Sequence, residues 1–412
     1  MALLLNSGKS MQTIIDSNLD PTIDAGDGSA KYFDIIGFDP RGVNNTTPGV
    51  SCFPDEFSRL NWDLQQEAEG MLGSGSDSLT RNWQRSLAFS QSCSDMISKT
   101  EDGEEALGEH VNTVAVVEDM VAIIERHGEW REKQGLLAMR RSGYDPALAR
   151  RTAWKKGKEK LLYWGISYGT ILGGTFATMH PNRIERAVLD AVVNIEYYYT
   201  GKGESNLKDA DSIFNQFSVY CEAVGPDLCG LYIPGGSAAI KHSIVDLLET
   251  IRTESVAVMA STSRGPEVVT WTDVMNLVRV SMYMPLKVFP VVGRILGDLR
   301  KGDGSAMADF KQEGRTPSCA STECQNADAY VSECSTPGGE PMTAILCTDA
   351  DRLTGGSLDD FSRSWQSLQN DSYVLGNYWA SLVINCAGWK SKAKWSFEGC
   401  LQSHSQFTQC KG

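Results

Sequence analysis

Apolar residues recur along this chain with two distinct spacings. From Val111 to His127 they fall at Val114, Val117, Met120, Val121 and Ile124, the spacing of a helix with one buried face. Ile240, Ile244, Leu247, Leu248 and Ile251 repeat it, and so do Phe289, Val292, Ile295, Leu296 and Leu299. Residues 200 to about 300 therefore read as a mainly helical block, with Thr272 or Asp273 expected to cap a third helix. Helical spacing returns from Leu358 to about Ile384. Short unbroken apolar runs read instead as buried strands. The first, Lys31 to Asp39, ends at the turn Asp39-Pro40-Arg41-Gly42. The second, Lys160 to Ser167, leads into a helical stretch from Tyr168 to His180, which Pro181 stops. The third is Arg186 to Val193. Strand, helix and strand at this spacing form a βαβ unit and imply a parallel sheet. Residues 48 to 110 are Ser-, Gly- and Asp-rich with few periodic stretches, and 303 to 340 resemble a stapled loop region. No internal repeat is visible.

Composition narrows the class. The 412 residues are 41% hydrophobic and 22% charged, which is globular and excludes disorder or a collagen-like repeat. At this length two to three domain-sized units are expected. With 38 Lys and Arg against 52 Asp and Glu, the formal charge is −14, which argues against a nucleic-acid partner. No run approaches the ~18 apolar residues of a span, so no membrane partner is expected, and the N-terminus does not read as a signal peptide. Residues 131 to 160 depart from the acidic background with ten Lys and Arg against three Asp and Glu. That island could meet an anionic partner; the reading preferred here is a solvated insertion between a helix and a strand.

The 11 cysteines stand at 52, 93, 221, 229, 319, 324, 334, 347, 386, 400 and 410. None forms a Cys-x-x-Cys pair, which argues against a zinc ribbon. Scattered cysteines at this density suggest an oxidising compartment and several disulfides; the alternative is buried free thiols. The odd count leaves at least one thiol unpaired or paired outside the chain. No metal site and no cofactor loop are visible.

The strongest chemical signal is Gly165-Ile166-Ser167-Tyr168-Gly169. Gly-x-Ser-x-Gly between a strand and a helix is the pattern of a nucleophile elbow. Its serine sits in a strained turn, so Gly165 and Gly169 must keep side chains out of the neighbouring strand and helix. The backbone N–H of Tyr168 would be one oxyanion donor. In this architecture the acid and then the histidine follow the serine. Of the histidines at 110, 127, 180, 242 and 404, two precede Ser167, His180 ends the following helix and His242 sits on a polar helix face. His404 alone is in the right order near the C-terminus. Asp190, closing the next strand, is the candidate acid. Asp349 and Asp351 follow the apolar run Ala344-Ile345-Leu346-Cys347 without a clear geometric relation to the serine.

Phe38-Asp39-Pro40-Arg41-Gly42-Val43, Tyr163-Trp164-Gly165-Ile166-Ser167-Tyr168-Gly169-Thr170, Pro181-Asn182-Arg183-Ile184 and Ala187-Val188-Leu189-Asp190 together resemble the secreted tripeptidyl aminopeptidases. These are proline-iminopeptidase-like serine hydrolases of the α/β-hydrolase superfamily, and the likeness has a fungal character. Asp209-Ala210-Asp211 leading to Phe214, Phe217 and Cys221, then Gly225-Pro226 with Cys229, and Cys386-Ala387-Gly388-Trp389 extend it over nearly the whole chain. The resemblance implies an α/β fold with a mostly parallel central sheet and an inserted helical cap. It divides the chain into a hydrolase core at 1–195, a cap with a Cys-rich loop at 196–340 and a return to the core at 341–412. It implies acyl-enzyme hydrolysis of peptides from a free amino end, with Ser167 as nucleophile and Tyr168 as oxyanion donor. The family's Gly-Gly-Pro-Gly-type loop, its Asp-Pro acid turn and its Gly-His have no match here, so the chain is expected to lack both ends of the family fold. Three further readings follow: a hydrolase of an amide or ester intermediate in fungal secondary metabolism, an inactive remnant acting as a binding protein, and an incomplete gene model.

Overall fold

A computed structural model describes residues 35–100, 104–201, 204–315, 338–350 and 354–397. It is helix-rich. Helices α1 (Glu56–Glu69) and α2 (Ser78–Ile97) come first, followed by the 30-residue α3 (Thr113–Ser142) and the short α4 (Pro146–Thr152). Strand β1 (Leu161–Ile166), helix α5 (Tyr168–Met179) and strand β2 (Ile184–Asp190) form the expected βαβ unit. The strands run parallel, with Trp164 beside Val188 and Ile166 beside Asp190. Leu172 and Phe176 of α5 pack against Val116, Val117 and Met120 of α3, which covers one face of the pair. The other face carries Leu162, Trp164 and Val188, at 50%, 39% and 53% exposure. The strand at Arg186–Val193 was expected to be buried; β2 is exposed along most of its length, because among the described residues the sheet has only two strands. The described part of the expected Lys31–Asp39 strand, residues 35–39, takes no strand conformation. Asp39 instead accepts hydrogen bonds from Asn44 and Asn45, and Arg41 grips Asp119 of α3 through two nitrogens at 2.6 and 2.8 Å. That motif is a turn fastened to α3.

The helical block follows β2: α6 (Ile195–Thr200), α7 (Ala210–Val224), α8 (Gly236–Thr253), the antiparallel pair β3 (Val256–Val258) and β4 (Glu267–Val269), then α9 (Trp271–Tyr283), α10 (Pro285–Leu299) and α11 (Ser305–Arg315). Every apolar position picked out in α8 and α10 is buried in one core with Phe214, Phe217 and Val278. The cap of α9 is Thr270, two residues before Thr272 and three before Asp273, the two expected candidates. Thr270 accepts from Asp273 N–H while Asp273 accepts from Thr270 N–H, so Asp273 closes a capping box rather than starting the helix. The chain ends its described course with α12 (Glu340–Asp349), α13 (Leu358–Asp371) and α14 (Gly376–Val383).

The Ser- and Gly-rich stretch before residue 110 holds α1 and α2, which apolar spacing does not reveal. Helix α2 buries Ser78, Asn82, Ser86, Ser90 and Ser94 alongside Trp83, Cys93 and Ile97, so polar residues make up most of its inward face. Those hydroxyls have partners. Ser90 Oγ accepts the Gly388 N–H at 3.0 Å, and Ser94 Oγ accepts the N–H groups of Lys390 and Ser391 at 3.0 and 2.6 Å. Disulfides join Cys52 to Cys93, Cys221 to Cys229 and Cys347 to Cys386. The other five cysteines lie outside the described residues.

Candidate active site

Ser167 stands where β1 turns into α5, with φ 55° and ψ −119°. A non-glycine residue at positive φ is strained. The neighbouring groups hold it there. Its N–H donates to the Asp190 carbonyl at 3.1 Å, which ties the turn to the end of β2. Its own carbonyl accepts from both the N–H and the hydroxyl of Thr170, at 2.8 and 2.7 Å. The Thr170 hydroxyl in turn accepts the Val193 N–H. Ala191, just past β2, also has positive φ, 51°, so two strained residues sit side by side at the carboxyl ends of adjacent parallel strands.

The glycines are explained by contact. A Cβ on Gly165 would lie 2.3 Å from the Gly169 carbonyl oxygen, and one on Gly173 would lie 2.6 Å from the Tyr163 ring. The Tyr163 hydroxyl donates to that same Gly169 oxygen at 2.6 Å. Gly169 itself is less crowded, with 3.4 Å to the Tyr163 hydroxyl. Gly165 and Gly173 are thus what permits α5 to lie against β1. Tyr168 opens the helix, so its N–H is among those with no intrahelical acceptor and lies next to the Ser167 backbone. Ser167 is exposed.

The side chain of Tyr168 runs the other way, into a buried polar cluster. Its hydroxyl is 2.7 Å from Thr113 Oγ1. Thr113 opens α3 and donates to Asp349 twice, from its N–H at 3.0 Å and its hydroxyl at 2.6 Å. Tyr198 of α6 donates to the same carboxylate at 2.9 Å. Burial lifts the Asp349 carboxyl to about 6, against the pull of these three donors. Burial also pushes the phenols of Tyr168, Tyr198 and Tyr199 well above their ordinary value, and the Asp349 charge adds to it. The cluster binds α3, α5, α6 and α12 at the base of the Ser167 turn. Sequence reasoning noted Asp349 after its apolar run but gave it no place; the structure commits it to bracing rather than to contact with Ser167 Oγ.

The remaining candidates fall as follows. The Asp190 side chain is exposed at the end of β2, and its backbone carbonyl is what meets Ser167. His404 lies outside the described residues, as does Asp351. The four described histidines are engaged elsewhere: His110 with Glu105 at 2.6 Å, His180 with Glu118 at 2.8 Å, His242 with Asp246 at 3.5 Å, and His127 against the Trp130 ring. No group of three or more His, Cys, Asp or Glu among the described residues is arranged to hold a metal ion.

No family model matches the chain. It is 30% identical over 169 residues to a tripeptidyl aminopeptidase of Streptomyces lividans, covering 40% of this chain and 23% of that protein. It is 24% identical over 259 residues to the serine protease Hip1 of Mycobacterium tuberculosis, covering 61% of this chain and 41% of that protein. The chain thus matches between about a quarter and two fifths of the length of these curated relatives. By these comparisons the chain is a distant relative of serine peptidases.

Proposed function

We propose that the chain carries the nucleophile of an α/β-hydrolase-type serine peptidase, with Ser167 as the attacking residue. The observation that carries this reading is the backbone of Ser167, held at φ 55° and ψ −119° between a parallel strand and a helix N-terminus. That turn is what a nucleophile elbow requires, and the glycines at 165 and 173 make room for it. The distant likeness to serine peptidases supports the same reaction class.

In the proposed reaction Ser167 Oγ attacks the substrate carbonyl carbon and gives its proton to an imidazole. The Tyr168 N–H accepts no other duty and donates to the oxyanion that forms. The tetrahedral adduct collapses, the amine leaves with the proton from the imidazole, and an ester to Ser167 remains. Water then repeats the sequence and frees the acid. With the four described histidines engaged elsewhere, the reading assigns the base within this chain to His404 and the orienting acid to Asp190. The substrate it assigns is a peptide with a free amino end.

The test is labelling of the folded 412-residue protein by a fluorophosphonate. Labelling is expected for the wild type, to vanish in Ser167→Ala and to fall by several orders of magnitude in His404→Ala. A folded wild type that does not label, or a Ser167→Ala variant that still does, overturns the assignment. Hydrolysis of a tripeptide amide, lost when its amino group is acetylated, then tests the substrate class.

A further inference from the structure

The second half of α3 leaves the body of the molecule. From Thr113 to Met120 the helix is buried at six positions, but beyond Met120 only Gly128 and Gly135 are buried. Those two glycines face α4 and the loop after it: a Cβ at Gly128 would strike Trp154, and one at Gly135 would strike Thr152. At 100° per residue the opposite side of the helix presents Arg126, Trp130, Lys133, Leu137, Arg140 and Arg141. Trp130 is 55% exposed and Leu137 36%. Leu136 and Tyr144, beside this stripe, are exposed as well.

The charge of this hairpin opposes that of the rest of the chain. Residues 131 to 160 hold ten Lys and Arg and three Asp and Glu, net +7, in a chain of net −14. Each of the three acids has a local task. Glu159 pairs with Arg131, Asp145 caps α4, and Glu132 accepts the Trp154 N–H. Among the described residues Lys133, Arg140, Arg141, Arg150 and Arg151 form no ion pair, so the excess charge faces outward.

A solvated helix face needs neither a tryptophan nor a leucine at its centre, and a polyanion would be met by the cations alone. A stripe in which large apolar side chains lie between Lys and Arg fits the boundary of a bilayer. There apolar groups enter the acyl edge, tryptophan favours the headgroup level, and cations meet lipid phosphates. We propose that the outer face of the α3–α4 hairpin is a docking surface for an anionic phospholipid bilayer. The chain would lie on such a surface rather than cross it: no described helix is long and apolar enough to span. The surface does not involve Ser167, so the proposal stands apart from the catalytic reading.

Flotation of the full-length protein with vesicles tests it. The protein is expected to float with phosphatidylcholine–phosphatidylserine vesicles and to stay behind with pure phosphatidylcholine. Binding should fall steeply as salt rises from about 0.05 to about 0.5 M, because screening shortens the reach of surface charge. The triple variant Lys133→Glu/Arg140→Glu/Arg141→Glu should no longer float. Trp130→Ala/Leu137→Ala should bind at least about tenfold more weakly. All five positions are outward-facing, and near-ultraviolet circular dichroism checks that each variant is folded. Absence of binding to either vesicle, or equal binding to both, overturns the proposal. So does unchanged flotation of the Trp130/Leu137 variant together with tight binding of soluble heparin, which would mark a site for free polyanions.

Discussion

Asp349 takes two hydrogen bonds from Thr113 and one from Tyr198, yet burial still lifts its carboxyl from 3.8 to about 6. An acid whose pKa is higher folded than unfolded favours folding in its protonated form. Its charge therefore costs stability as pH rises from about 4 through about 6, by about 3 kcal/mol in all. Asp349→Asn removes that ionisation. The urea midpoint of the wild type should fall relative to the Asn variant across this window and run parallel to it above pH 7; equal slopes throughout would contradict the burial argument. Gly165→Ala is expected to cost about 2 kcal/mol or more and to abolish fluorophosphonate labelling, since the new methyl meets a backbone oxygen that cannot step aside. The strained turn at Ser167 was legible in the sequence because such a turn admits few residue types, and those types leave a fixed spacing. The Asp349 cluster was not, because its members come from positions 113, 168, 198 and 349. Nothing local to any of them records that they meet.

Helices announced themselves where their buried faces are apolar. The buried apolar faces of α8 and α10 were legible, and α3 was legible to about His127, after which it runs on to Ser142 with only Gly128 and Gly135 buried. Helix α2 was not legible. Its inner face interleaves serines with Trp83, Cys93 and Ile97, and Ser90 and Ser94 accept backbone N–H groups of residues 388, 390 and 391 far along the chain. Ser94→Ala would strand two of those N–H groups, that of Ser391 buried and that of Lys390 half-buried. A loss of about 2 kcal/mol or more is expected by urea denaturation, larger than the loss of about 1 kcal/mol expected for Thr270→Ala at the cap of α9. The reverse order would show that water replaces the serine at no cost. The expected central sheet is represented by β1 and β2 alone among the described residues. Strand patterns report burial only when both faces are covered, and here one face carries Leu162, Trp164 and Val188 in the open.

At the scale of the molecule, α1 and the helical block are joined by charge. Lys311 of α11 is buried against Glu67 of α1, Glu267 of β4 and Asp273 of α9, at 3.2, 3.3 and 2.8 Å. Arg315 pairs with Glu67 and Glu267 as well. Removing one cation leaves buried carboxylates facing each other. Lys311→Ala is expected to destabilise by about 3 to 5 kcal/mol, with most of the loss recovered in Lys311→Ala/Asp273→Asn; additive losses in thermal denaturation would mean that the two groups do not depend on each other.

The serine seam between α2 and residues 385 to 391 has a consequence for how this protein can vary over evolutionary time. An interface of leucines drifts readily, since methionine or isoleucine fills nearly the same volume. A seam of hydroxyls, with Ser90 and Ser94 aimed at backbone N–H groups and Ser86 donating to the Asn385 side-chain oxygen, has almost no synonyms apart from threonine. In an alignment of relatives, positions 86, 90 and 94 should change in step with 385 to 391 or hold still together, while the aliphatic faces of α8 and α10 diverge freely around them.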